Sequence, residues 1–194
     1  DAFRSYFTQA LPAVRRLRAA SRDLTPIDKL RLELEELWPR GARIDSYKGL
    51  KMSVGIGRVM TPAGMLNGIA RTEGMCHVDG FSLANRRSGF FSANIYLRVP
   101  DSGGELMVWN VGVSPLRLAC NLSLVRKLLD FDASSQAFIR SKLPRPLALK
   151  PEAGELVIID SGRPHAVRAF EQGFRVTLQS FIRYRAGEPL ALWT

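Results

Sequence analysis

Phe90-Phe91-Ser92-Ala93-Asn94-Ile95-Tyr96-Leu97-Arg98-Val99 runs into Pro100-Asp101-Ser102-Gly103-Gly104 and resumes as Glu105-Leu106-Met107-Val108-Trp109. Side chains alternate across a β-strand. The first run therefore shows Ser92, Asn94 and Tyr96 on one face and Phe91, Ala93, Ile95 and Leu97 on the other. The Pro/Asp/Ser/Gly cluster is turn chemistry and predicts a hairpin between the two strands. Near the C-terminus Arg175, Thr177, Gln179 and Phe181 alternate with Val176, Leu178, Ser180 and Ile182. A face bearing Arg, Thr, Asn and Tyr is costly to bury without partners. Such a face is either solvent-exposed or the wall of a site.

Outward from these runs, further strands are expected at 51–59, 114–120, 147–149, 155–160, 166–170 and 173–185. Gly55 and Gly57 mark close packing or a bulge in the first of them. The N-terminal part reads as helix. One candidate covers 10–20. Another opens at Thr25-Pro26-Ile27-Asp28, with Thr25 as N-cap, Pro26 at the first helical position and Asp28 at the capping-box position; Pro39 and Gly41 end it. Residues 122–143 hold two short helical patterns, read as an insertion between strands. The fold class expected is mainly β with flanking helices, a jelly roll. One domain spans 1–194, with a helical buttress over 1–48 and the core over 49–185.

The chain has two histidines. His77 lies in Cys76-His77-Val78-Asp79-Gly80 and His165 in Arg163-Pro164-His165-Ala166-Val167. Positions i and i+2 of a strand share a face, so His77 and Asp79 can reach one ion, and the second His must arrive from another strand. Two His and one carboxylate form the facial triad that holds non-heme Fe(II) with open positions. The same donors suit zinc, and a His-x-Asp pair can also be a hydrogen-bonded core element.

The bulk composition sets bounds. With 194 residues and 46% apolar content, the chain can bury a sizeable core. No apolar run is long enough to span a membrane and no signal-peptide pattern is present, so no membrane partner is expected; the two cysteines, read as free thiols, point to a cytoplasmic location. Cys76 and Cys120 show no metal or redox spacing. Cys76 alternates with His77 and is read as a core thiol. The net charge of +10 comes mainly from 22 Arg against 6 Lys. The densest cluster, Arg15, Arg16, Arg18 and Arg22, reads as a solvated helix face. No recognition-helix, zinc-finger or aromatic RNA-binding signature accompanies the charge, so no nucleic-acid partner is expected. Guanidinium groups suit acidic small molecules, which they bind bidentately.

The chain resembles the Fe(II)/2-oxoglutarate-dependent dioxygenases of the prolyl-4-hydroxylase-like branch. The resemblance is carried by His77-Val78-Asp79, Ile95-Tyr96-Leu97, Gly103-Gly104-Glu105-Leu106, Asp160-Ser161-Gly162-Arg163-Pro164-His165 and Arg175-Val176-Thr177, in the family's order. It implies a double-stranded β-helix, with His77, Asp79 and His165 as catalytic iron ligands and Fe(II), 2-oxoglutarate and O2 as cofactor and co-substrates. Arg175 would bind the far carboxylate of 2-oxoglutarate, with Thr177 and Tyr96 as hydroxyl donors and Asn94 as a further contact. The carboxylate at position 79 implies hydroxylation rather than halogenation, since related halogenases have a small residue there.

A weaker resemblance, through Tyr96-Leu97-Arg98-Val99-Pro100 and the Gly-Gly-Glu-Leu run, points to bacterial hydroxylases of free or N-acylated amino acids and natural-product intermediates. The substrate expected is an anionic small molecule. Phe81, Asn85, Arg86 and Arg87 near one ligand segment, and Arg163, Arg168 and Arg183 flanking the other, are its candidate contacts. The alternatives are a peptidyl prolyl hydroxylase of the same fold and a non-catalytic cupin-like binding barrel.

Overall fold

A computed structural model of the chain describes residues 2–62, 75–79, 88–111 and 133–194. The strand expected at 114–120 and the first part of the 122–143 insertion lie outside these residues. The described chain is mostly β-sheet with flanking helices.

Helix α1 (Ala2–Ser5) passes through a π-helical turn, Tyr6–Ala10, into α2 (Leu11–Ala20). Helix α3 (Pro26–Leu37) starts as expected, with Thr25 as N-cap and Pro26 in the first turn. The Thr25 hydroxyl accepts from the Asp28 N–H at 3.3 Å and donates to the Asp28 carboxylate at 2.6 Å. Asp is one methylene shorter than the usual Glu, and its carboxylate takes the cap hydroxyl. Arg18 at 3.0 Å and Arg31 at 3.2 Å flank the same carboxylate; the Arg18 pair ties α2 to α3, and the Arg31 pair lies within α3.

Burial alone would raise the Asp28 pKa, but the Thr25 hydroxyl and the two arginines outweigh it and hold it below the usual carboxylate value. A depressed folded-state pKa gives stability that is present above the unfolded value and lost as pH falls through the acid range. Asp28→Asn should therefore lower stability by about 0.5–1 kcal/mol at pH 7 and by less near pH 3. Urea denaturation at the two pH values checks this.

The strands in chain order are β1 (Ala42–Ile44), β2 (Ser46–Tyr47), β3 (Leu50–Lys51), β4 (Ile56–Met60), β5 (Ser88–Arg98) and β6 (Leu106–Val108). They continue as β7 (Leu147–Leu149), β8 (Leu156–Asp160), β9 (His165–Val167), β10 (Arg175–Arg185) and β11 (Leu190–Trp193), and helix α4 (Ala133–Lys142) precedes β7. The major sheet is ordered β1-β11-β10-β5-β8, with β4 paired to the start of β10. A three-stranded sheet is ordered β7-β6-β9, and β2 and β3 form a separate ribbon. Strands β1 and β11 lie outside the 49–185 core expected from sequence, yet they extend the major sheet as a parallel pair.

The run expected at 51–59 is interrupted. Gly55 has φ +87°, and a Cβ there would press on Ile27 of α3. The backbone can approach the helix only where no side chain intervenes. The expected hairpin at 101–104 is corrected by the pairing, since β5 and β6 belong to different sheets. Gly103 and Gly104 have φ +74° and +73°, and a Cβ on Gly103 would strike the Ala169 carbonyl and Phe170. The segment is a turn, but it carries the chain from one sheet to the other.

Each of the two larger sheets has one apolar face covered by a helix. On the major sheet Ala93, Ile95, Ile182, Leu190 and Leu192 pack with Ile27 and Leu30 of α3. Burying each large aliphatic side chain contributes about 1.5–3 kcal/mol. On the smaller sheet Met107 and Ala166 pack with Ile139 of α4, with Cys76 and with Val78. The opposite face of the major sheet is the polar one noted in sequence. Ser92, Asn94, Tyr96, Arg175, Thr177 and Gln179 are all buried, and the β5–β10 register sets Thr177 against Tyr96 and Gln179 against Asn94. The solvent-exposed alternative for that face is excluded.

Candidate metal centre

His77 and His165 face each other across an isolated antiparallel bridge. The His77 N–H donates to the His165 carbonyl at 3.0 Å, and the His165 N–H returns to the His77 carbonyl at 2.9 Å. Residues directly opposite in such a pair project to the same face. The two imidazoles therefore lie side by side, with ring centroids 4.4 Å apart. Asp79 comes back to that face two residues on, and its N–H donates to the Ser161 carbonyl at 3.0 Å. Local pairing thus assembles all three side chains.

Both rings are oriented by the same device. His77 Nδ1 lies 3.0 Å from the Met75 carbonyl, and His165 Nδ1 lies 2.9 Å from the Arg163 carbonyl. A carbonyl only accepts, so Nδ1 carries the proton in each neutral ring and Nε2 carries the lone pair. Both Nε2 atoms face the Asp79 carboxylate, at 3.5 Å for His77 and 3.4 Å for His165. One ligand atom from each residue lies within 4.8 Å of the others. Three acceptors aimed at one point repel one another unless a cation, metal or proton, lies among them. Outer hydrogen bonds that fix ring orientation are a regular feature of metal-binding histidines.

The electrostatics agree. Burial would raise the Asp79 pKa, but hydrogen bonds with His165 and His77 outweigh it and hold the carboxyl well below its usual range. Burial would lower the His77 pKa, but the Asp79 and Met75 hydrogen bonds outweigh it and raise it above the ordinary histidine value, against a smaller opposing effect from Arg58. The Asp79 side chain is 18% exposed and that of His165 9%.

Cys76 points away from this cluster into the apolar layer under α4. Burial pushes its thiol pKa up to about 12 despite Arg140, which keeps it neutral. Sequence reasoning missed Gln136. Its Oε1 accepts from the Cys76 N–H at 2.7 Å and its Nε2 donates to the Cys76 carbonyl at 2.9 Å. The amide thus stands in for a paired strand beside His77. Its only signal was an amide one turn before Ile139 on α4, beside the equally buried Ser135. Gln136→Leu should weaken divalent-metal affinity by loosening the backbone that carries His77, by less than the roughly 10–100-fold lost with a partner bonded to the ligand itself, with far-UV circular dichroism unchanged. Chelator competition measures the affinity.

Arg175 is 5% exposed. One Nη donates to the Tyr96 hydroxyl at 3.1 Å, the other lies 3.4 Å from Met60 Sδ, and the guanidinium sits 4.9 Å from the Tyr96 ring centroid. Its Nε and the neighbouring Thr177 hydroxyl are buried without a partner, and no carboxylate pairs with Arg175 among the described residues. Asn94 donates to Ser92 Oγ at 3.1 Å, and Gln179 donates to the same oxygen at 2.7 Å. Gln179 and Ser92, visible in sequence only as members of the polar face, therefore form part of the same wall.

The three candidate arginines around His165 are engaged elsewhere. Arg163 pairs with Asp160 and Asn110, and its carbonyl orients His165. Arg168 lies 3.7 Å from Glu105, and Arg183 lies 2.6 Å from Asp45. Phe81, Asn85, Arg86 and Arg87 lie outside the described residues.

No family model matches the chain, and no curated protein matches it. Among solved structures it is similar to an N-substituted L-amino acid dioxygenase from Burkholderia ambifaria AMMD, at 16% identity and TM-score 0.50, covering 79% of this chain and 58% of that one. The complex of such a dioxygenase with alpha-KG gives 18% identity and TM-score 0.45 over 73% and 52%. Iron-bound HygX from Streptomyces hygroscopicus gives 14% and 0.39 over 97% and 78%. The chain thus spans little more than half the length of the two dioxygenase chains. The first likeness is one of fold alone.

Proposed function

We propose that this chain is the core of a non-heme Fe(II)/2-oxoglutarate-dependent dioxygenase, folded as a jelly roll, that hydroxylates an aliphatic C–H of a small carboxylate-bearing molecule. The observation that carries this reading is the convergence of His77 Nε2, His165 Nε2 and the Asp79 carboxylate within 4.8 Å. Two neutral imidazoles and one carboxylate suit Fe(II) and leave coordination positions for other ligands. Iron held there with 2-oxoglutarate and O2 supplies oxidative decarboxylation to succinate and CO2, coupled to transfer of one oxygen atom into a C–H bond.

The chain's own groups divide the remaining work. The Met75 and Arg163 carbonyls keep both Nδ1 protons and so keep both Nε2 lone pairs directed inward. Asp79 stays anionic and contributes the hard third donor. Arg175, with a buried Nε and no acid partner, is suited to a dicarboxylate's far end, which a guanidinium binds bidentately. Thr177 Oγ1 and the Tyr96 hydroxyl lie beside it as donors. Asn94, held on Ser92, lines the wall. A free or N-acylated amino acid as substrate accords with the name of the structurally similar N-substituted L-amino acid dioxygenase.

Anaerobic addition of Fe(II) and then 2-oxoglutarate should produce a weak visible charge-transfer band, and a substrate screen should then find 2-oxoglutarate-dependent succinate release. Absence of the band together with absence of tight Fe(II) binding would refute the proposal.

A further inference from the structure

The polar face of the major sheet changes character at one end. Beyond Gln179 and Ser92 the same strand faces carry Phe181 and Phe90, and β11 adds Trp193, which pairs in register with Phe181. The Trp193 ring lies 5.6 Å from Phe181 at 31° and 6.0 Å from Phe90 at 85°. Arg183 stacks 5.6 Å from the Trp193 ring while its guanidinium pairs with Asp45 at 2.6 Å. All three aromatic rings belong to residues that are only partly buried, in contrast to the buried Ser92, Asn94, Tyr96, Thr177 and Gln179 on the same face.

This aromatic group lies at the end of the sheet nearest the histidines. The Phe90 carbonyl accepts from the Ser161 N–H, and the Ser161 carbonyl accepts from the Asp79 N–H, each at 3.0 Å. Two strand spacings, about 10 Å, therefore separate the Phe90 backbone from that of Asp79.

We infer that Phe90, Phe181 and Trp193 form a subsite for a flat, uncharged apolar group of the substrate. Accessible aromatic rings present large apolar area at low conformational cost and favour stacked or edge-on partners. The chemistry selects against a charged occupant. Among the described residues at this end, Arg183 is neutralised by Asp45 and Arg185 lies 4.0 Å from Glu188, so an incoming carboxylate would meet cations that already have partners. The inference deepens the proposed function by naming what the non-reacting part of the substrate looks like, and it rests on that reading for the word substrate.

Nuclear magnetic resonance of the Zn(II)-loaded, 15N-labelled chain tests it, because the three indole N–H signals, Trp38, Trp109 and Trp193, report separately. Benzamide should shift the Trp193 signal saturably, leaving Trp38 and Trp109 in place, and should bind at least about fivefold more tightly than acetamide. Phe181→Ala should weaken benzamide about fivefold to tenfold, with the Trp38 and Trp109 signals showing that the fold persists. Asp45→Asn, which frees Arg183, should turn a preference for benzamide over benzoate into the reverse.

Equal binding of benzamide and acetamide by the wild-type chain would overturn the inference, as would shifts confined to Trp38 or Trp109. Zn(II) affinity, measured separately by chelator competition, distinguishes the two readings. Loss of metal binding with a preserved Trp193 response would sink the oxygenase reading and leave the subsite standing.

Discussion

Asp79→Ala should reduce divalent-metal affinity by at least about 100-fold, beyond what loss of an outer partner does. The reason lies in the donor set. Without the carboxylate, two neutral imidazoles remain, and the site loses its only anionic ligand among the described residues. The same substitution should lower the His77 pKa, since the Asp79 hydrogen bond is the main effect raising it against burial. In the wild-type chain, metal must displace the proton that His77 and Asp79 stabilise between them. Affinity should therefore fall on acidification, beginning above the ordinary histidine value near 6.5, and in Asp79→Ala that fall should move to lower pH. Co(II) titration from pH 5.5 to 8.5 reads both effects. Wild-type affinity in Asp79→Ala would remove the metal centre from the account.

Arg175→Met should abolish stabilisation by 2-oxoglutarate while leaving the unliganded chain as stable as before or more so. Two effects compete in the unliganded protein. The substitution removes a hydrogen bond to Tyr96 and the stacking on its ring, together about 2–4 kcal/mol. It also removes a charge buried to 5% exposure with no acid beside it among the described residues, a penalty of several kcal/mol. Methionine fills much of the arginine stem's volume, so cavity cost stays small. An arginine with a purely structural role would instead give a clear loss of stability. With metal present and 2-oxoglutarate at 100 times its Kd, the wild-type chain should gain about 2.7 kcal/mol, and the variant almost none. Thermal unfolding with and without 2-oxoglutarate separates the outcomes.

The His77–Asp79–His165 cluster was legible because strand periodicity and residue type alone bring His77 and Asp79 to one face. The polar wall was legible for the same reason, since alternation over long strands such as β5 and β10 leaves little ambiguity about which residues share a side. The start of α3 could be read from Thr25 and Pro26, whose effects are local. Strands β1 and β11 could not. They have three and four residues, and their pairing joins positions far apart in the chain, so no local pattern marks them. The turn at 101–104 illustrates a different limit. Glycines with positive φ serve a hairpin and a crossover equally, and the close approach of Ala169 and Phe170 decides between them. Gln136 was hidden because its partner is a backbone, which has no residue type to recognise.

The bridge between His77 and His165 has a further consequence for the unfolded chain. An ion shared by two segments so far apart in the polypeptide acts as a removable cross-link, closing a long loop whose entropy would otherwise favour opening. Chelation should then loosen more than the centre itself. Segment 75–79, stitched on by a few main-chain hydrogen bonds to Ser161 and His165 and by the Gln136 amide, becomes the natural first point of detachment, and limited proteolysis should find it there.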